Sequence, residues 1–175
     1  MDYYCIMVFT GEEKAFKERA NQLIKPNFPE SDFFVFERKL FTNRRGWFDA
    51  VLFPGYVFFG TSILSADFFD QLKKIDGFCR ILRDNQHPVK FTGEALEELK
   101  VFINNGESWG VSKVKFLPGQ KIHVVSGPLV GLEGNIVAVN KKRKRITVQT
   151  NITSNSMKFD LLFEDAEVVS QSTLC

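Results

Sequence analysis

The chain has 175 residues, of which 44% are hydrophobic and 25% charged, and a net charge of +2. This balance excludes wholesale disorder, and the length allows one large or two small domains. The charge is unevenly divided: residues 1–110 hold 14 Lys and Arg against 16 Asp and Glu, whereas residues 111–175 hold 9 against 5. The C-terminal part is therefore the one suited to a polyanion.

Phe is heavily used, with 19 copies against 3 Tyr and 2 Trp. Phe has no polar tip to satisfy, so it signals a bulky aromatic core or an apolar docking surface. Cys5, Cys79 and Cys175 lack metal-ligand spacing and suit a reducing compartment. Met1-Asp2-Tyr3 opens without a basic or apolar leader pattern, and the longest apolar run, 50–60, is broken by Pro54-Gly55. A cytoplasmic chain without membrane contact is expected.

In chain order, Tyr3–Phe9 reads as a strand buried on both faces. Thr10 with Glu13 forms a capping-box pattern ahead of a helix whose stripe is Phe16, Ala20, Leu23 and Ile24. Asp32–Phe41 predicts a second strand, Trp47–Phe53 a third, and Tyr56–Gly60 a fourth after the Pro54-Gly55 bend. Phe68, Phe69, Leu72 and Ile75 mark a short helix, and Phe78–Leu82 a fifth strand. Thr92 is the N-cap candidate of a helix carrying Leu96, Leu99 and Ile103. This order predicts an α+β fold, an antiparallel sheet flanked by helices, over residues 1–106. Residues 107–115 lose periodicity and read as a linker.

Residues 116–172 then read as a small all-β barrel. The expected strands are Lys121–Val125, Asn135–Val139, Ile146–Thr150, Met157–Phe163 and Glu167–Val169. Their β-branched content argues against a helical alternative. Gly127–Gly134 superficially resembles a phosphate loop, but it lacks the Gly-Lys-Ser/Thr ending and is followed by a strand. There is no nucleophile elbow, metalloprotease or kinase pattern. No catalytic residue, metal site or cofactor is expected, and His123, without a partner pattern, is no metal ligand.

At Tyr3-Tyr4, Phe9–Lys14, Phe53-Pro-Gly-Tyr-Val-Phe58, Asp76-Gly-Phe78 and Phe116–Asn140 the chain resembles the NusG family of transcription elongation factors. The last segment looks like a KOW motif, with Pro118-Gly119, Gly127-Pro128 and Gly134 at its turns. The resemblance implies an NGN domain that docks on the clamp helices of RNA polymerase, followed by an SH3-like KOW barrel. It also implies a polymerase-binding patch on Phe53, Tyr56 and Phe58, with Tyr4 and Met7 nearby. Without the resemblance, these aromatics would read as core.

Three features depart from the housekeeping pattern. Leu129 replaces an aromatic residue, only Arg44-Arg45 precedes the Phe-Pro-Gly-Tyr segment, and Ser154–Leu161 replaces the usual late strand. With Lys141-Lys-Arg-Lys-Arg145 added, the chain looks more like a specialised paralog of the LoaP antiterminator type.

Lone charge runs are usually solvated turns. This one contains no carboxylate, so pairing within the run cannot account for it. Lys141, Lys142, Arg143, Lys144 and Arg145 are therefore expected to bind structured nascent RNA, with Lys121, His123 and Lys158 extending the face. Three to five phosphate contacts would give a log–log salt slope of roughly −2 to −5. Non-template DNA is a further candidate partner, and a monomer is expected. The alternatives are a housekeeping factor whose KOW domain binds termination factor Rho or a ribosomal protein, and a ribosome-associated KOW protein.

Overall fold

The computed structural model describes residues 1–82, 85–119, 121–153 and 155–166. The expected strand at Glu167–Val169 and Cys175 lie outside the described residues. Among the described residues no helix is long and apolar enough to cross a membrane.

The first half is built on a four-stranded sheet in the order β2-β5-β1-β6. These strands are β1 (Asp2–Val8), β2 (Asp32–Phe34), β5 (Tyr56–Thr61) and β6 (Phe78–Ile81). The two runs with the densest apolar character, β1 and β5, occupy the centre, where a strand is covered on both faces. They pair antiparallel with Cys5 opposite Phe58 and Met7 opposite Tyr56.

Three helices complete this half: α1 (Glu13–Leu23), α2 (Ala66–Lys73) and α3 (Gly93–Asn104). Phe16, Ala20 and Ile24 of the first stripe are buried, but Leu23 is exposed. The capping box does not form, because α1 begins after Glu12 with no side-chain cap. Glu13 turns instead to the backbone N–H groups of Gly11, at 3.0 Å, and Gly55, at 2.6 Å. α2 is capped by Ser65, whose hydroxyl accepts from Phe68 N. Thr92 precedes α3 but makes no side-chain cap.

The single strand expected over 32–41 is two strands in different sheets. After β2 the chain crosses, through the buried pair Val35 and Phe36, into β3 (Glu37–Thr42). β3 pairs with β4 (Gly46–Val51) and β7 (Ser108–Trp109) in a second sheet. No glycine or proline marks the crossing. Glu107 fixes it from 70 residues away in sequence: its carboxylate accepts from Val35 N at 2.8 Å and its carbonyl from Glu37 N at 2.7 Å.

The stretch read as a linker is therefore structured. Residues 108–109 form β7, and residues 112–117 form β8 (Ser112–Leu117), the opening strand of the barrel. The barrel sheet has the order β10-β11-β12-β8-β9. Its other strands are β9 (Lys121–Ser126), β10 (Ile136–Asn140), β11 (Arg145–Thr153) and β12 (Asn155–Asp165). It is a curled, partly closed barrel, as the β-branched content predicts.

Gly127 sits at the tightest point of the barrel, with φ 98° and a would-be Cβ 2.6 Å from Ser112 Cα. Only glycine lets the loop approach β8 so closely. Leu129 N then donates to Ser112 Oγ at 3.1 Å.

Two cores result. One lies between the four-stranded sheet and α1 and α2, and contains Tyr4, Ile6, Phe33, Val57, Phe59 and Phe68. The other spans both halves, joining Cys5, Phe36, Phe53, Phe58, Phe102 and Trp109 to Leu129, Ile146, Ile152 and Phe159 of the barrel.

Candidate functional site

The basic run is the turn between β10 and β11, closed by the Asn140–Arg145 pair. Arg143 N donates to Asn140 Oδ1 at 3.0 Å, and Lys144 adopts a left-handed backbone with φ 54°. The five cations are not equivalent. Lys141 Nζ lies 4.2 Å from the centre of the Phe116 ring. Lys144 pairs with Asp165 and lies over Phe163. Arg145 Nη1 is 3.8 Å from Asp160 Oδ2, and its Nη2 donates to Phe41 O at 3.4 Å. Among the described residues, the side chains of Lys142 and Arg143 have neither ion pair nor ring partner, and both are exposed.

The expectation that ion pairing cannot account for the run holds only within the run. Asp160 and Asp165 reach it from β12, which the register places alongside: Arg145 lies opposite Leu162. Cross-strand neighbours of this kind are invisible to a local reading of charge.

The remaining basic candidates are spread along the barrel. Lys121 pairs across from Leu117, which shares a hollow with Lys141, Phe116 and Val139. His123 lies opposite Lys115 and is exposed. Lys158 is exposed opposite Gln149, four register positions from the Arg145–Leu162 pair, or ~13 Å along the strand. Lys121 is thus close to the turn, and Lys158 is not. Among the described residues no group of His, Cys, Asp or Glu is placed to hold a metal.

Next to the basic turn stands the tip of the β3–β4 hairpin. Phe41 and Trp47 face one another across it, with ring centres 5.3 Å apart. Trp47 is 62% exposed. Hairpin and turn enclose an open cleft of about 690 Å³, lined by Phe41, Asn43, Trp47, Lys142, Arg143 and Glu164 among others. Sequence reading missed Phe41 and Trp47 as surface aromatics, because in a Phe-rich chain a strand aromatic reads as core. The Asn43–Gly46 turn between them was the available signal.

The aromatic patch of the first half has a different setting. Phe53 and Phe58 are each 1% exposed, whereas Tyr56 and Met7 are half-buried. What covers Phe53 is partly the barrel: its ring lies 5.9 Å from that of Phe159. Tyr4 is a correction, since alternation turns it to the opposite face of the sheet, where it stacks on Phe59 at 5.2 Å. Tyr3, not Tyr4, lies on the side of Phe58.

Polar contacts reinforce the closure. Arg38 Nη1 donates to Asp160 O at 2.7 Å, and Asn105 Nδ2 to Pro128 O at 2.9 Å. Burial pulls the Arg38 pKa down, with Asp160 opposing the shift and Arg145 adding to it. Leu129, which stands where the housekeeping pattern has an aromatic residue, is fully buried inside the chain.

A sharp turn presents the Phe53–Phe58 segment. Gly55 takes φ 85°, and the buried Glu13 carboxylate holds its N–H, so α1 and the turn are positioned together. Cys5, fully buried below Phe58, has its thiol pKa pushed well up by burial, which leaves it unreactive.

A family model described as transcription termination factor nusG matches residues 1–100. The chain belongs to the NusG family. Among solved structures it is similar to NusG of Thermotoga maritima, described for its domain interaction. That match has 19% identity, covers 92% of this chain and 93% of that one, and has a TM-score of 0.58. It extends the shared fold from the NusG-family domain into the barrel. The MjSpt4:Spt5 complex also matches, at 11% identity over 90% of each chain and a TM-score of 0.36. Membership of the NusG family places the chain among transcription factors.

Proposed function

We propose that this NusG-family chain is an antitermination factor of the specialised, LoaP-like kind. It binds RNA polymerase through the first half and structured nascent RNA through the barrel, and so promotes readthrough of terminators. The observation that carries the RNA half of this reading is the state of Lys142 and Arg143, whose exposed side chains have no ion-pair partner among the described residues, at the turn between β10 and β11. Lys141, with Lys121 near it, flanks them, while Lys144 and Arg145 hold the turn in shape. The expected grip is electrostatic, on phosphates.

On the polymerase side, Met7, Tyr56, Phe53 and Phe58 form the docking patch. Phe159 of the barrel covers part of Phe53, so full use of this patch requires the barrel to lift away, and polymerase binding competes with the closed arrangement. Holding polymerase and transcript at once raises the effective concentration of each for the other, and modest affinities then suffice. The chain acts as a monomer in the cytoplasm.

The test is titration of the full chain with a structured RNA hairpin at low salt. The double substitution Lys142→Ser with Arg143→Ser is expected to weaken binding about 10-fold or more at ~0.1 M salt and to lower the salt slope by about 2. Unchanged affinity would remove the RNA reading and leave a factor whose barrel binds proteins.

A further inference from the structure

The cleft between the β3–β4 hairpin and the basic turn is not absorbed by simple phosphate binding. We propose that it is a nucleotide site that takes one unpaired RNA base on the face of Trp47, with the flanking phosphates on Lys142 and Arg143. The proposal rests on the reading of the basic turn as an RNA contact and adds what that contact selects.

The two walls of the cleft carry complementary chemistry. The hairpin wall offers Trp47, 62% exposed, backed by Phe41, 42% exposed, and the pair stands at the tip where Phe41 lies opposite Trp47 in register. Two large aromatic rings left in water beside each other mark a partner surface. The barrel wall offers Lys142 and Arg143, which no carboxylate neutralises among the described residues. Glu164 also lines the cleft, but it faces Lys113 at 3.8 Å, so the mouth remains net positive.

An aromatic face beside free cations is the combination that holds a stacked base and its phosphates. An apolar peptide would leave both cations without partners. The volume, about 690 Å³, falls in the ~300–1,000 Å³ range of small-ligand sites. A base inside a duplex has both π-faces covered, so only a bulged, looped or terminal nucleotide can use Trp47. The walls are joined by the hydrogen bond from Arg145 Nη2 to Phe41 O at 3.4 Å. The stacking half of the site therefore forms only while barrel and first half are packed together, whereas Lys142 and Arg143 belong to the barrel turn itself and keep the phosphates when the chain opens onto polymerase.

The experiment uses the full chain with an RNA hairpin bearing a single-adenosine bulge, the same hairpin fully paired, and the bulged hairpin in DNA, at ~50 mM salt. Trp109 is fully buried, so a change in quenching of the exposed tryptophan fluorescence reports Trp47. The bulged RNA is expected to bind more tightly than the paired RNA and to quench the Trp47 signal. Trp47→Ala is expected to weaken bulged-RNA binding about 5- to 100-fold, the range for removal of one base–aromatic stack, and to erase the preference for the bulge. Trp47→Phe should keep most of that preference.

Equal affinity for bulged and paired RNA, or binding without a Trp47 signal, would overturn the nucleotide site while the phosphate contact stands. Failure of every hairpin to bind would overturn both. Bulged DNA binding as well as bulged RNA would overturn the assignment to RNA.

Discussion

The two faces of the four-stranded sheet are covered in opposite ways. On one face, Tyr4, Ile6, Val57 and Phe59 meet α1 and α2, elements close to them in sequence. On the other, Cys5, Phe58 and the neighbouring Phe53 meet α3 and, beyond it, a barrel that begins more than 50 residues later. Both faces are buried and alternate along the same strands, so burial alone does not show how firmly each cover is attached. What separates them is whether the covering element is tied to the sheet by short connections or sits on an independent sheet of its own.

The largest effect expected from breaking this comparison is on the helix side. Phe59 is fully buried, with Tyr4, Phe33 and Phe68 rings at 5.2–5.7 Å. Phe59→Ala should cost about 3–5 kcal/mol and melt the first half, seen as loss of helical circular dichroism at lower denaturant. A cost below about 1 kcal/mol would mean that this core is not the founding one.

Next comes the barrel side. Phe159 touches the rings of Phe53, Phe102 and Trp109 at 5.9–6.3 Å. Phe159→Ala should also destabilise, by ~3 kcal/mol, but the first half should keep its helices while Trp109 fluorescence shifts red and polymerase binding strengthens. Simultaneous loss of helix and Trp109 burial would show one cooperative unit rather than two.

The contrast also explains what was legible in the sequence. Strands β1, β4, β5, β6 and β9–β12 and all three helices follow periodicity within a few residues, because each is decided by its own alternation or stripe. The crossing at Val35-Phe36 carried no punctuation, since Glu107 enforces it from a distant loop. Residues 107–115 looked like a linker because β7 has two residues, too short for any period to register.

The candidate site divides in the same way. Lys142 and Arg143 were visible as charge, but their distinction from Lys144 and Arg145 depends on Asp160 and Asp165 across β12. Trp47 was visible only as one more strand aromatic. The cleft requires the β3–β4 hairpin and the β10–β11 turn to stand side by side, which composition cannot express.

The smallest prediction probes the seam itself. Glu98 on α3 accepts from Asn135 Nδ2 of the barrel half at 3.1 Å. Burial raises its pKa, partly offset by a hydrogen bond with Thr150. With the folded pKa above the unfolded one, Glu98 binds more protons in the folded state between the two values. Its contribution is fully present below the unfolded pKa of ~4.3 and is lost as pH rises through the folded value. At pH 7 the ionised carboxylate therefore works against closure. Gln at this position keeps an oxygen for Asn135 and removes the charge, so Glu98→Gln should raise Tm at pH 7. Solvent screening at a half-buried site keeps the gain on the order of 1 °C. The gap should close near pH 4, where the native side chain is itself neutral. A gap that persists there would assign the effect to packing against β11 rather than to charge at the seam.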